Sequence, residues 1–177
     1  MAANMKLFDF FATKNTTGSE QGSLFLRLKE LLGSLNDAEQ LYITGVAGLL
    51  GGVAFSDLEI SQDELDKMEQ VLQEQLNLEE NLLQKIVAVI KSVTTDLLGI
   101  EDYKYARMIN ESCNLEEKKD VIRCLLRVAA ANDSISAEED NKLGLIAQGL
   151  LLNRQDYISL RSEFREHLDI LKDLPSK

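Results

Sequence analysis

Residues Phe55 to Glu64, reading Phe-Ser-Asp-Leu-Glu-Ile-Ser-Gln-Asp-Glu, return in degenerate form as Ala130 to Glu139, reading Ala-Ala-Asn-Asp-Ser-Ile-Ser-Ala-Glu-Glu. A chain that spells one local design twice is constrained to build two similar units, and the flanks say what the unit is. In each copy a serine is followed three residues later by glutamate, Ser61 with Glu64 and Ser136 with Glu139, the reciprocal capping box that opens a helix. The preceding stretches correspond as well: Val46, Leu49, Leu50, Val53 and Ala54 stand where Val121, Cys124, Leu125, Val128 and Ala129 stand in the second copy. Each copy is therefore read as a polar, acidic joint between two helices.

The same cap signal recurs at Asn36 with Glu39, Asn77 with Glu80, Asn114 with Glu117 and Asn153 with Asp156. Between these signals the apolar residues keep a helical period. Leu24, Leu28, Leu31, Leu32 and Leu35 mark a first helix, Asp37 to Phe55 a second, and a third runs from Ser61 to about Leu76. Leu83, Ile86, Ile90, Val93 and Leu97 mark the fourth, closed by Leu98-Gly99-Ile100. The second half gives helices over Glu101 to Ser112, over Leu115 to Ala131 and from Ser136 onward. A last one covers Arg154 to Leu171, with Tyr157, Leu160, Phe164, Leu168 and Leu171 along one side and Pro175 beyond its end. One proline, no tryptophan and 6% aromatic residues in a Leu-, Glu-, Lys- and Gln-rich chain favour helix over sheet. The expected fold is an all-α compact bundle of about eight helices, in two tandem, pseudo-symmetric four-helix halves (21–99 and 100–177) sharing one core, behind an N-terminal arm or short helix over 1–20.

Gly45, Gly48, Gly51 and Gly52 interrupt the second helix, each at a cost of about 1 kcal/mol relative to alanine. The glycine-free counterpart in the second copy supports the helix nonetheless. No phosphate-loop pattern accompanies these glycines. Gly45, Gly48 and Gly52 fall on one helical face, which predicts close approach of a neighbouring helix.

Thirty acidic against nineteen basic residues give a formal net charge of −11, which repels nucleic acid and anionic lipid and favours cations. Nucleic acid is accordingly not an expected partner. Cys113 and Cys124 form no C-x-x-C pair, Cys124 falls on an apolar helix face, and a reducing cytoplasm fits both. The N-terminus lacks the pattern of a secretory signal, and the most apolar run, Leu41 to Phe55, is shorter than the roughly 20 residues of a membrane span. Leu7, Phe8, Phe10 and Phe11 suit an arm laid over the core better than an interfacial anchor, which wants a basic polar face. Membrane association is expected only through a partner or this arm. The sole histidine, His167, excludes a three-histidine zinc site and paired Glu-x-x-His motifs, and no G-x-S-x-G elbow accompanies it. It reads as a surface or half-buried helix residue, and no catalytic residues are expected.

At the first joint Asp57, Glu59, Asp63 and Glu64 lie within eight residues, enough carboxylates for a hard cation such as Ca²⁺, Mg²⁺ or Mn²⁺. An EF-hand is excluded: mid-loop glycine is missing and Met68 occupies the twelfth place. The simpler account, which the pattern favours, is that Ser61 and Glu64 cap the helix while acids in its first turn complement the helix dipole. The second copy is the weaker ligand set, with Asn132 and Ser134 in place of acids, leaving Asp133, Glu138 and Glu139.

A helical residue, then Asp, an Ile-Ser pair and a helix-opening acid resembles the A-D-G-x-I-S-x-x-E-like turn of the TerB-like family, tellurite resistance protein TerB and its relatives. The matching positions are Asp57, Ile60, Ser61 and Glu64, then Asn132, Ile135, Ser136 and Glu139, and the similarity covers roughly residues 21 to 171. The sequence departs from that pattern where Leu58 and Asp133 replace glycine and Asn132 replaces aspartate, which weighs against a cation above all at the second turn. The resemblance implies a non-enzymatic stress- or tellurite-resistance module that acts through protein partners and a divalent cation at its acidic turns. The alternative it leaves open is a metal-independent interaction scaffold of the co-chaperone-associated type. Tellurite itself, an anion, suits an acidic surface poorly.

Overall fold

The structure, a computed structural model, describes residues 24–54, 62–76, 78–92 and 102–172. The N-terminal arm, the first motif loop with Asp57 and Glu59, Asn77, the end of the fourth helix and Pro175 lie outside the described residues.

Eight helices of eight residues or more follow one another among the described residues: α1 (Leu24–Leu31), α2 (Asp37–Ala54), α3 (Gln62–Leu76), α4 (Glu80–Ser92), α5 (Asp102–Ser112), α6 (Leu115–Ala129), α7 (Ala137–Gly149) and α8 (Arg154–Ser162). The chain is all-α, as its sequence pattern predicts. The cap signals set four of the helix starts, whereas α4 begins at Glu80, two residues later than the Asn77–Glu80 signal predicts, because the Glu79 carbonyl accepts the first helical amide bond. Asn114, Ser136 and Asn153 each sit in extended backbone as N-cap of α6, α7 and α8, and each closes a reciprocal box with Glu117, Glu139 and Asp156. The same exchange opens α2, where the Glu39 amide donates to Asn36 Oδ1 at 3.0 Å and the Asn36 amide to Glu39 Oε2 at 3.2 Å.

One continuous apolar core takes residues from every helix, from Leu24 to Leu160, and is completed by Leu168. Its centre is the crossing of α2 and α5, the most extensive helix contact among the described residues. Here the glycine face finds its purpose. A Cβ on Gly48 would stand 2.4 Å from the ring of buried Tyr105, and one on Gly45 would stand 2.8 Å from Ile109 Cδ1, so only hydrogen at these positions lets α5 lie this close. Gly52 plays a different part: its carbonyl accepts from Lys142 Nζ on α7, tying the end of α2 to the second half.

The parallel between halves is partial. α2–α3, α3–α4 and α2–α4 contacts have counterparts in α6–α7, α7–α8 and α6–α8. The leading helices differ: α1 packs on α4 and α2 within its own half, whereas α5 crosses to α2 and also meets α7. The expected symmetry of two four-helix halves is thus not established by the packing.

The last helix is shorter than its apolar spacing predicts. α8 ends at Ser162, a 3₁₀ turn spans Arg165–His167, and a single helical turn, Asp169–Lys172, follows. Leu168 between them is extended, φ −78° and ψ 113°, because it forms a parallel bridge with Ile135 of the second motif. His167 accordingly lies in a 3₁₀ turn and is half-buried, not part of a continuous helix.

Candidate functional site

The second motif turn begins where α6 tightens into a 3₁₀ turn, Ala130–Asn132, and stops at Asp133 with φ 63°. This is the left-handed region that glycine favours, and the sequence has aspartate in the glycine place. The Ser134 amide then donates to Asn132 Oδ1 at 3.3 Å, a local side-chain turn. Ile135 is pinned on both backbone sides: its amide donates to the His167 carbonyl at 2.6 Å and its carbonyl accepts from the Asp169 amide at 3.1 Å. Ser134 Oγ adds a 2.6 Å bond to Asp169 Oδ1. The buried side chains of Ile135 and Leu168 fill the space beneath.

The acids of this turn have distinct fates. Glu139 is buried, and its Oε2 accepts from the Ser136 amide at 2.8 Å, so capping engages it. Glu138 is exposed, and the Asp133 side chain is 96% exposed. Among the described residues no group of three or more His, Cys, Asp or Glu side chains is placed to hold a metal ion, so Asp133, Glu138 and Glu139 do not converge. Of the first set, Asp63 is exposed and Glu64 is buried in the first turn of α3.

What the structure does bring together is one acid from each copy. Asp63 and Asp133 line a common cleft of about 500 Å³ between α3 and the end of α6, closed at one side by Phe164 and His167. Asp66, Lys67 and Gln70 complete the α3 wall, and Arg127, Ala130 and Ala131 the opposite one. The cleft is amphoteric: three carboxylates face Lys67, Arg127 and His167. Lys67 donates to Gln70 Oε1 at 3.2 Å, and Arg127 reaches out to Glu74 at 2.7 Å, holding that carboxyl below its ordinary value. His167 Nδ1 lies 4.0 Å from Asp133 Oδ1. The α6 end contributes the negative pole of a helix dipole, which favours a cation here.

Sequence reasoning passed over Asp66, Lys67, Gln70 and Arg127. The signal existed, since Asp63, Asp66, Lys67 and Gln70 follow at i, i+3, i+4 and i+7 on one face of α3. Arg127 and Phe164 reach the cleft only through tertiary packing.

The cysteines stand apart from it. Cys124 is 4% exposed, donates to Gln75 Oε1 at 3.1 Å, and burial pushes its thiol from 9.0 up to about 11. Gln75 in turn donates to Tyr42 Oη at 2.8 Å, so one amide links α2, α3 and α6. Burial likewise raises Cys113. A thiol held this far toward its protonated form is a poor nucleophile or metal ligand near neutral pH.

Folded Cys124 holds its proton more tightly than the unfolded chain does, so the stability it contributes is complete below pH 9 and is lost as pH rises toward and past 11. The contribution is on the order of 2 kcal/mol. Urea midpoints of the parent and Cys124→Ala, compared from pH 7 to 11, should converge as pH rises; a constant gap would show that the thiol does not titrate with folding.

An all-helical domain in which Asp63, just after the first motif turn, and Asp133 of the second line one cleft defines a class of helical modules. The family model for tellurite resistance protein TerB matches residues 43–162, from within α2 to the end of α8, and the chain belongs to that family. No curated protein and no solved structure matches the chain.

Proposed function

We propose that the chain is a non-enzymatic binding module of a tellurite- or stress-resistance system in the cytoplasm, acting through a protein partner and a divalent cation, Ca²⁺, Mg²⁺ or Mn²⁺, held at the first acidic turn. The observation that supports this reading is the shared cleft, whose lining includes Asp63 and Asp66 of α3 and Asp133 past the carbonyl end of α6. Asp57, Glu59, Asp63 and Glu64 supply the charge, and loops so built hold hard cations loosely, with Kd on the order of 10⁻⁴ to 10⁻³ M. The net charge of −11 supports cation over nucleic acid. Among the described residues no helix is long and apolar enough to cross a membrane.

A second reading, a metal-independent scaffold, is favoured by one specific observation: Glu139 of the second turn spends a carboxylate oxygen on its helix cap, the role that the same spacing gives Glu64 after Ser61 at the first. Calorimetric titration with the three cations separates them. The parent should give binding heat, and Asp57→Asn with Glu64→Gln should abolish it, since the amides keep the helix capped while removing charge. No heat above dilution, or heat untouched by the double variant, leaves capping as the whole role of these acids. A scaffold would also keep the same partners in pull-downs with and without chelator.

A further inference from the structure

A second concavity, about 740 Å³, runs between α7 and α8 and takes in the capped start of α8 at Asn153. Its walls carry large aliphatic side chains turned outward: Leu145 is 67% exposed and Ile158 44%. Leu151, outside the lining and 73% exposed, holds φ 62° where the backbone turns left-handed to stop α7. Two exposed aliphatics, one from each helix, on the walls of one groove are more than scattered surface apolarity.

The groove's charges say what would cover it. Asp140 is fully engaged, with Arg161 donating to both carboxylate oxygens at 2.7 Å and Tyr157 Oη at 2.8 Å. Arg154 also lines the groove, is exposed, and forms no ion pair among the described residues. On a chain of net charge −11 this apolar groove therefore carries an uncompensated positive charge. A second copy of the chain would bring its own −11 to the contact and set like surfaces against each other. The helical walls suit a third helix laid between them, with aliphatic anchors at i, i+4 and i+7 meeting Leu145 and Ile158.

We propose that the α7–α8 groove docks an amphipathic helix of a partner protein, apolar on one face and acidic beside it, with Arg154 reading the acidic residues. This deepens the partner half of the reading above and is independent of its cation half, whose calorimetric test can fail or succeed separately.

The test uses two fluorescein-labelled synthetic helical peptides with leucines at i, i+4 and i+7, one with glutamate and one with lysine on the polar face, titrated with the full chain by anisotropy. The glutamate peptide should bind about tenfold more tightly than the lysine peptide. Leu145→Asp with Ile158→Asp should weaken it at least about tenfold, and Arg154→Glu should remove or reverse the preference between peptides. Because these residues are exposed, unchanged melting temperatures should confirm that the variants fold. Absence of binding, equal binding of both peptides, or binding indifferent to the paired aspartates would overturn the proposal. So would sedimentation showing a self-associated chain that Leu145→Asp disperses, since the groove would then belong to a second copy.

Discussion

Gly48→Leu should leave the chain unfolded at ambient temperature, and Gly48→Ala should cost about 2 to 3 kcal/mol in urea denaturation. Helix propensity alone argues the opposite, since alanine is about 1 kcal/mol better than glycine in a helix interior. Packing decides the sign. A Cβ at Gly48 would meet Tyr105 Cδ1 and Cγ at 2.4 Å, and Tyr105 is 1% exposed, so its ring has no solvent to swing into. Either α2 and α5 separate, or the ring leaves its rotamer, and the helix contact that carries the core is lost in the first case. Leucine at the same place exceeds what a domain of ordinary stability, about 5 to 15 kcal/mol, absorbs at its central crossing. Gly33→Ala serves as the control: its nearest new contacts are 3.6 and 3.7 Å, and the change should stay within about 0.5 kcal/mol. The double variant Gly48→Ala with Tyr105→Ala should lose less than the two single changes summed, by about 1 kcal/mol or more, as contacting neighbours do. Strict additivity would mean that the ring is not what the glycine accommodates.

This crossing also shows where the sequence is legible and where it stops. Three glycines at helical spacing announce a face made for close approach, but nothing in the spacing names Tyr105 and Ile109 as what approaches. Those residues sit in a helix whose counterpart in the first half, α1, packs elsewhere. The repeated halves invite symmetry, and the two leading helices break it because one covers α4 and the other fills the glycine groove. Caps are the most readable feature, since Asn36, Asn114, Ser136 and Asn153 act on amides two or three residues away and need no tertiary partner.

The cleft was legible in pieces. Asp63 and Asp133 stand out as acids of the repeat, and the structure sets them on one cleft, but Arg127, Phe164 and His167 join through long-range packing that periodicity does not encode. The break in the last helix is the sharpest example. Leu160, Phe164 and Leu168 keep perfect i+4 spacing, so a continuous helix and an interrupted one bury the same apolar set. What selects the interruption is the backbone demand of the second turn, where Ile135 needs an acceptor and a donor that only an extended Leu168 flank can offer.

That dependence makes Leu168→Ala the other change of large effect, with an expected loss of about 2 to 4 kcal/mol. Leu168 is 1% exposed against Ile135, also 1% exposed, and removing it leaves a void under the turn as well as less buried apolar surface. The informative readout is amide exchange at Ile135, whose N–H donates to the His167 carbonyl at 2.6 Å. If the C-terminal segment is what holds the turn, local opening should become easier by a similar free energy, and exchange should accelerate by about a hundredfold. The Glu139 amide, bonded to Ser136 Oγ within the α7 cap, should be affected less, because that bond is local. Ile170→Ala, at a side chain 59% exposed, should change stability by less than about 0.5 kcal/mol. A fall in global stability without faster exchange at Ile135 would place Leu168 in the core only and free the turn from the segment. The pairing residues, His167 to Asp169, lie beyond the span matched by the family model, which ends at 162. The chain thus closes its second motif turn, and one side of the cleft, with residues that follow the matched domain. An accelerated Ile135 would identify that closure as the element that fixes Asp133 opposite Asp63.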